Sequence, residues 1–270
     1  MTGAVTTDRL GELFARTRAA GRPALIGFVP GCWPELDATV AIAQAAEAGG
    51  MDALELGVPF SDPLADGVTN QLAYQQALAA GATPAAVLAQ AAAIRAAGVR
   101  MPLLLMGYCN PLFAYGTERF VRDAAAAGVD GLIVVDLPPE EAGELERAAR
   151  AAGVHVVYLL APTSTTERIA LVARHASGFI YCVSVTGVTG ARAALAEELP
   201  AFLARVRKHT ALPLAVGFGI STRAQVAAVG ALADAVIVGS AFVQAVAAAP
   251  RAERAAAVRA FTAELCGRGG

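Results

Sequence analysis

The sequence holds one lysine and no closely spaced pair of cysteines. The lysine, Lys208, lies within a predicted helix, so no lysine stands at a strand end where a Schiff-base enzyme would need it. The four cysteines are far apart in the chain: Cys32, Cys109, Cys182 and Cys266. This spacing favours unpaired thiols in a reducing cytosol over a disulfide framework. Any acid–base chemistry therefore falls to carboxylates.

Other signatures are missing as well. No P-loop or dinucleotide-binding fingerprint occurs, and the three histidines lie at a predicted strand start or at helix ends rather than in a cluster. We therefore expect neither a metal nor a cofactor. The net charge of −2, from 21 basic and 23 acidic residues, gives no electrostatic basis for binding nucleic acid or an anionic membrane.

Long hydrophobic runs are absent, although 56% of the residues are apolar. The apolar stretches are broken by Gly, Pro or charge well before the roughly 20 residues that a membrane span requires. The first ten residues include Asp8 and Arg9 and contain no apolar segment of the kind that directs secretion. We expect a cytoplasmic protein.

What the sequence does contain is a regular alternation of short apolar runs with Ala-rich amphipathic stretches that end near glycine. The runs are apolar throughout, as in parallel strands covered on both faces. Strands are predicted at residues 24–29, 53–56, 103–106, 131–135, 155–160, 179–183, 214–216 and 235–238. Helices are predicted at residues 38–48, 84–97, 118–127, 139–152, 166–175, 194–209 and 222–229, with further ones at 8–20 and 251–265.

Eight strand–helix units of this kind predict an α/β fold with a parallel sheet. Their number favours closure into a (β/α)8 TIM barrel, with extra helices near both termini, over an open doubly wound sheet. No break in composition divides the chain, so we predict one domain spanning residues 1–270. In such a barrel the functional groups lie in the loops that follow the strands.

Glu55 is a charged residue inside an otherwise apolar predicted strand. Its surroundings have a low dielectric whether the side chain points into the barrel or toward the helices. Burial disfavours the carboxylate and raises its pKa toward neutrality, where a carboxyl group can both donate and accept protons. The alternative is a structural glutamate paired with a basic residue. The position near a strand end favours a catalytic role.

The loop after this strand carries two aspartates, Asp62 and Asp66, among Pro and Gly residues. Loop aspartates usually bond to their own backbone in turns, which is the structural alternative for both. Two carboxylates in different surroundings would otherwise divide roles well. One would act as an acid and base, and the other would stay ionised and hold a substrate N–H.

Glycine-rich turns follow the last three predicted strands, at residues 186–190, 217–221 and 239–240. Glycine lets backbone N–H groups approach an anion closely, and a helix that starts at Ser240 would direct its positive end to the same place. The loops after strands seven and eight commonly bind phosphate in barrels. We therefore predict a phosphate site at this rim.

The segment 54–67 reads LELGVPFSDPLADG and resembles the signature of tryptophan synthase α chains. Three further regions are similar to that family: YCNP at 108–111, DLP at 136–138, and YCVS with TGVTGA at 181–184 and 186–191. GFGIS at 217–221 and GSA at 239–241 also agree. The resemblance spans nearly the whole chain and implies a TIM-barrel lyase that cleaves indole-3-glycerol phosphate into indole and glyceraldehyde 3-phosphate.

On the matching positions, the resemblance implies that Glu55 protonates the indole ring carbon and assists loss of the side-chain hydroxyl proton. It implies that Asp66 holds the indole N–H. The substrate-binding residues that it implies are Phe28 and Tyr181 beside the indole, Tyr108, the loop residue Thr189 that closes over the site, and the phosphate binders Gly190, Gly219, Gly239 and Ser240. It also implies that the protein needs no cofactor and that a β chain receives the indole in an α2β2 assembly.

Two segments depart from the family pattern. Cys32-Trp33-Pro34 stands where Gly-Asp-Pro is common, and Val68-Thr69-Asn70-Gln71 replaces Pro-Thr-Ile-Gln. Both lie on the face that resembles the β-chain contact, so they bear on partner docking. Trp33 is either a partner anchor or a packing residue.

Three other functions compete with a synthase subunit. The first is a stand-alone indole-glycerol-phosphate lyase that releases indole without a β chain, which the altered loops permit. The second is a non-catalytic barrel that activates a partner, and retention of both Glu55 and Asp66 argues against it. The third is another phosphate-binding barrel such as an isomerase, which would lack the match over residues 54–67.

Overall fold

The computed structural model describes residues 8–183, 191–217 and 219–268, with the backbone alone for residues 191–197. Its eight parallel strands pair in chain order and close into a barrel where β8 meets β1. The strands are β1 Ala24–Pro30, β2 Ala53–Gly57, β3 Leu103–Gly107, β4 Gly131–Val134, β5 His155–Leu160, β6 Ile180–Val183, β7 Leu214–Gly217 and β8 Ala235–Val238. The predicted (β/α)8 barrel is confirmed, and each predicted strand is correct to within one residue at either end.

Twelve helices occur in the described part of the chain. They are α1 Arg9–Ala19, α2 Ala38–Gly49, α3 Val68–Ala79, α4 Pro84–Ala96, α5 Cys109–Tyr115, α6 Thr117–Ala126, α7 Gly143–Ala152, α8 Thr166–His175, α9 Ala191–Arg207, α10 Arg223–Gly230, α11 Ser240–Ala248 and α12 Arg254–Leu265. Among these described helices, none taken singly is long and apolar enough to cross a membrane. Taken together, α3 and α4 have the length and apolar composition of a membrane span, but the two helices are bent by 98° relative to each other.

Several helix starts follow from their capping residues. The side chain of Thr83 accepts a hydrogen bond from the backbone N–H three residues on, and Pro84 occupies the first helical position of α4. Thr165 caps α8 in the same way. Thr222 and Gln225 form a reciprocal capping box at α10. These caps fix where each helix begins and therefore how long the preceding functional loop is.

The sequence prediction was wrong about three helices. It started α7 at residue 139, but Pro138 and Pro139 accept single-turn bonds from Glu141 and Ala142, and the helix begins only at Gly143. It assigned no helix to the regions of α3 and α5. The buried side chains of α3, Ala73, Tyr74 and Ala77, are spaced three to four residues apart, which was the available signal.

The register of the strands identifies the inner face of the barrel. Phe28 on β1 pairs with Glu55 on β2, so both side chains point to the same side of the sheet. The register continues from β6 to β1 in the pairs Tyr181–Ala215, Ala215–Ala235 and Ala235–Ala24. Burial, and then the charge of Glu55, raise the pKa of Tyr181, four strands away. Side chains on strands that are four apart in a closed barrel can approach each other only through its interior. Phe28, Glu55 and Tyr181 therefore point inward.

Aspartates close the opposite, N-terminal end of the barrel. Asp52, Asp130 and Asp234 each precede an even-numbered strand and accept the backbone N–H of a residue in the odd-numbered strand before it: Leu25, Leu103 and Leu214, at 3.0, 2.8 and 2.9 Å. Each also forms an ion pair with an arginine: Arg22, Arg95 and Arg207 respectively. These hydrogen bonds satisfy backbone N–H groups at the strand starts that have no partner in the sheet. They also connect adjacent strands at the end of the barrel opposite the predicted site.

Candidate active site

Glu55 lies inside the barrel with 0% of its surface exposed. Neither of its carboxyl oxygens has a hydrogen-bond partner among the described residues. The alternative of a structural glutamate paired with a basic residue is therefore wrong for the part of the chain that is described. Burial raises the pKa of Glu55 to about 8, and the charge of Asp66 contributes in the same direction. Near neutrality this carboxyl group is largely protonated.

Asp66 lies in the loop after β2 and is also nearly buried, with 9% exposed. Its Oδ2 accepts a hydrogen bond from the Tyr108 hydroxyl at 2.6 Å, and its Oδ1 accepts one from the Asn70 side-chain amide at 3.0 Å. Burial raises its pKa, and the bonds from Tyr108 and Asn70 oppose that rise because they favour the ionised form. Asp62, by contrast, is exposed and accepts a bond from Ser61, in keeping with its structural alternative.

The two carboxylates thus have unequal surroundings. Glu55 is buried and has no donor among the described residues, whereas Asp66 has a donor on each oxygen. Hydrogen-bond donors favour the ionised form of an acid, so these surroundings favour the charge on Asp66 more than the charge on Glu55. The site is therefore equipped to deliver one proton and to stabilise one positive charge.

Aromatic side chains line the barrel beside these acids. Phe28 and Tyr74 are buried, with their ring centroids 6.2 Å apart in an edge-to-face arrangement. Glycine at position 57 leaves room for them: a Cβ there would lie 2.5 Å from the Tyr74 hydroxyl and 2.9 Å from the Phe28 ring. Tyr181, across the barrel, lies against Gly217 in the same manner. Flat apolar walls of this kind suit an aromatic substrate.

The glycine turns that follow β7 and β8 lie at the same rim, because these strands are neighbours. Gly219 has a φ of 74°, a left-handed conformation that glycine adopts without strain. Gly239 directly precedes α11, which begins at Ser240, and its carbonyl accepts the N–H of Phe242 at 2.8 Å. The N–H groups of Ser240 and Ala241, at the very start of the helix, have no acceptor within the helix. Thr189 and Gly190 lie outside the described residues.

Sequence reasoning missed two residues that contact or surround Asp66. Tyr74 is fully buried on α3, and both Asp66 and Glu55 contribute to raising the pKa of its hydroxyl, after the larger effect of burial. Asn70 was noted only as a departure from the family pattern. A polar side chain four residues after a loop aspartate, in the first turn of a helix, is the signal that could have found it.

The other segment that departs from the family pattern is buried. Trp33 is 3% exposed, and its indole N–H donates to the Gln76 side chain on α3 at 2.8 Å. Of its two alternatives, partner anchor or packing residue, the structure supports packing. Its role in this chain is to hold α3 against the loop after β1.

A cavity of about 420 Å³ lies at the N-terminal end of the strands. Its acids are paired: Asp8 with His155, Asp130 with Arg9, and Glu146 with His175. Among the described residues, the two buried carboxylates without an ion pair, Glu55 and Asp66, belong to β2 and the loop after it, so the candidate site lies at the other end of the barrel. No group of three or more metal-ligating side chains occurs among the described residues.

The fold defines the class of protein, a (β/α)8 barrel, and the two buried carboxyl groups at one end of it make it a candidate for carboxylate acid–base chemistry. A family model described as tryptophan synthase alpha chain matches residues 14–266. The chain belongs to the tryptophan synthase alpha chain family. Its activity is accordingly that of a carbon–carbon lyase, the cleavage of indole-3-glycerol phosphate.

Individual relatives agree with this assignment. The tryptophan synthase alpha chain of Roseiflexus sp. (strain RS-1) is 51% identical over 260 residues, covering 96% of this chain and 100% of that relative. The tryptophan synthase subunit alpha of Legionella pneumophila str. Paris superposes with a TM-score of 0.89 at 34% identity, covering 97% and 98% of the two chains. A structure of Mycobacterium tuberculosis tryptophan synthase gives 0.87 at 41% identity, covering 96% and 97%.

Proposed function

We propose that Glu55 is the acid and base of the cleavage and that Asp66 stabilises the charge on the indole ring. The observation that carries this proposal is the contrast between the two carboxyl groups: in the described part of the chain, one is buried without donors and the other accepts two hydrogen bonds. A raised pKa keeps Glu55 protonated and ready to donate near neutral pH.

The reaction requires a proton to be moved but none to be consumed. Glu55 donates its proton to the ring carbon that bears the side chain, which places positive charge on the indole nitrogen. The carboxylate of Asp66 accepts the indole N–H and stabilises that charge. Loss of the proton from the adjacent side-chain hydroxyl, to the carboxylate form of Glu55, breaks the carbon–carbon bond. The electron pair returns to the ring, and the products are indole and glyceraldehyde 3-phosphate.

The remaining substrate contacts are proposed from position. Phe28 and Tyr181 face each other across the interior and would enclose the indole ring. Gly219, Gly239 and the first turn of α11 at Ser240 offer backbone N–H groups to the phosphate, together with Gly190 and the closing residue Thr189 outside the described part. Tyr108 acts on the substrate through Asp66 and the loop at Ala65, whose N–H its hydroxyl accepts at 3.0 Å.

We further propose that a tryptophan synthase β chain binds the rim beside this site and receives the indole in an α2β2 assembly. Large apolar side chains are exposed there: Leu64 (92%), Val68 (70%), Leu72 (53%) and Phe113 (54%). Val68 and Leu72 are four residues apart on α3 and so share a face of that helix, and Leu64 lies in the loop that leads into it. An exposed apolar stripe beside an active site supports a protein partner.

The competing proposal is a stand-alone lyase. Steady-state formation of indole from indole-3-glycerol phosphate by the isolated chain, with and without an added β chain, distinguishes the two. Weak activity that a β chain strongly stimulates supports the synthase subunit, and fast turnover that no β chain changes overturns that assignment. Leu72→Glu should abolish the stimulation and leave the activity of the isolated chain intact.

We also propose a single domain and a cytoplasmic location. The described residues close into one barrel, which supports a single domain over residues 1–270. The four cysteines are unpaired thiols, which supports the reducing cytoplasm as the compartment.

A further inference from the structure

The first turn of α3 folds back onto Asp66. The Asn70 side-chain amide donates to the carboxylate Oδ1 at 3.0 Å, and the Gln71 side-chain amide donates to the Asp66 backbone carbonyl at 2.8 Å. From another loop, Tyr108 donates to Oδ2 at 2.6 Å. The carboxylate is therefore fixed from two sides, and its rotation requires at least one of these bonds to break.

Asn70 stands where the family pattern that this chain otherwise follows has isoleucine. An isoleucine side chain has no donor, so it cannot bond to the aspartate. Gln71, the next residue, retains the family residue.

The arrangement is not explained by folding stability alone. The other end of the Asn70 amide, Oδ1, is buried and has no hydrogen-bond partner among the described residues. A buried acceptor without a donor is destabilising. A flipped amide would point Oδ1 at the Asp66 carboxylate and create a repulsion, so the orientation with nitrogen toward Asp66 is the favoured one.

We propose that Asn70 is a positioning residue that holds Asp66 ionised and oriented for the indole N–H. The proposal rests on the role proposed above for Asp66. Asn70 does not touch the reacting atoms. It acts through the carboxylate, in place of the basic residue that a buried acid usually has.

The groups around Asp66 make such a donor necessary. Glu55 faces it from β2, Tyr74 from α3, Tyr108 from the loop after β3, and Tyr181 from β6. All four are acids, and no ion pair reaches Asp66 within the described residues. Burial raises the pKa of Asp66 and so disfavours its charge, and the hydrogen bonds from Tyr108 and Asn70 counteract this effect. Because an amide does not titrate, the contribution of Asn70 persists at every pH of interest.

The test replaces Asn70 by Ile, the family residue, and by Ala, which removes the amide without adding bulk. Gln75→Ile is the matched control, because Gln75 is an exposed amide on the same helix. The pH dependence of kcat/KM is measured on the isolated chain, and the Asp66 carboxyl is titrated by ¹³C NMR, with its signal assigned from Asp66→Asn. Circular dichroism checks the fold of each variant.

We expect both Asn70 variants to titrate Asp66 about one pH unit higher, since a hydrogen bond to a charged group is lost. The acidic limb of kcat/KM moves up equally, so activity on that limb falls about tenfold, while Gln75→Ile matches the parent chain. Unchanged titration of Asp66 in both variants overturns the inference about Asn70. Full activity of Asp66→Asn overturns the role of Asp66 itself, and this second result is independent of the first.

Discussion

The Tyr108 hydroxyl lies 2.6 Å from the Asp66 carboxylate and 3.0 Å from the Ala65 backbone nitrogen. Tyr108 follows β3, and so its hydroxyl connects the loop after β3 to the loop after β2. It donates to the acid and accepts from the amide. The loop after β2 therefore cannot move away from β3 without leaving a buried acid with one donor fewer. The position of Asp66 therefore depends on a residue that follows the neighbouring strand, and not only on the conformation of its own loop.

Tyr108→Phe should therefore affect both folding and activity. The variant removes a donor to a carboxylate and the acceptor of a backbone N–H, so the free energy of unfolding should fall by about 1–3 kcal/mol. The kcat/KM for indole formation should also fall. Denaturant unfolding and steady-state assays measure the two effects. Tyr115→Phe is the control, because its hydroxyl bonds to Asp123 away from the barrel interior. Equal behaviour of the two variants would contradict the anchoring role.

Glu55→Gln should retain the fold and lose catalysis. The substitution keeps the shape of the side chain but removes its ability to exchange a proton, and general acid–base groups typically contribute about 10²–10⁴-fold. We expect kcat/KM to fall by about that factor with an unchanged circular dichroism spectrum. Glu146→Gln, at the far end of the barrel, should retain the activity of the parent chain. An active Glu55→Gln enzyme would remove the proposed mechanism.

The same residue should make stability depend on pH. Burial raises the pKa of Glu55 from 4.5 to about 8, so between those values the native state holds a proton that the unfolded state has lost. Stability contributed by this group must then decrease as pH rises through that window, by up to about 4–5 kcal/mol.

Guanidinium unfolding of the parent chain and of Glu55→Gln, at pH 5 and at pH 9, measures this effect. The amide variant does not titrate, so its stability relative to the parent chain should increase from the lower to the higher pH. The comparison uses the change with pH and not the offset, because the amide has its own fixed cost of burial. A difference that stays constant would show that Glu55 ionises in the folded protein as it does in water.

Ser240→Asp should weaken substrate binding without weakening the fold. A carboxylate at the first residue of α11 is favourable for the helix by about 0.3–1 kcal/mol, but it occupies the place where we expect the phosphate. Like charges about 4 Å apart repel by about 1–4 kcal/mol, so KM should rise about tenfold or more. Ser240→Asn, similar in size and neutral, is the control. If both variants have the same KM, the phosphate is bound elsewhere.

Asp130→Asn should destabilise the barrel and leave the chemistry intact. Asp130 pairs with Arg95, whose side chain is only 14% exposed, and also accepts the N–H of Leu103. Removing one partner of a buried pair leaves the other uncompensated and costs about 3 kcal/mol or more. Asp37→Asn, in an ion pair whose side chains are 66% and 70% exposed, should cost less than about 1 kcal/mol. Thermal unfolding together with kcat/KM separates stability from activity in both variants.

The alternation of apolar strands with amphipathic helices could be read from the sequence because it is a local property. A buried parallel strand such as β3 must be apolar on both faces, and residues 103–106 show this without reference to any other part of the chain. The same is true of Glu55, since a charge inside an apolar strand is conspicuous wherever the strand lies. The sequence did not predict α3 because its first turn is polar and its apolar face consists of few residues, which makes the helical periodicity weak.

What the sequence alone determined about this protein is its barrel, its family resemblance and the presence of an unusual acid in β2. Only the tertiary structure decided that Glu55 points inward with no donor from residues 8–183, 191–217 or 219–268, and that Asp66 accepts bonds from Asn70 and Tyr108. The physical reason is one of range. Strand and helix formation depend on residues a few positions apart, whereas the protonation of a buried acid depends on whatever lies within a few ångströms, and Tyr108 reaches Asp66 from 42 residues away.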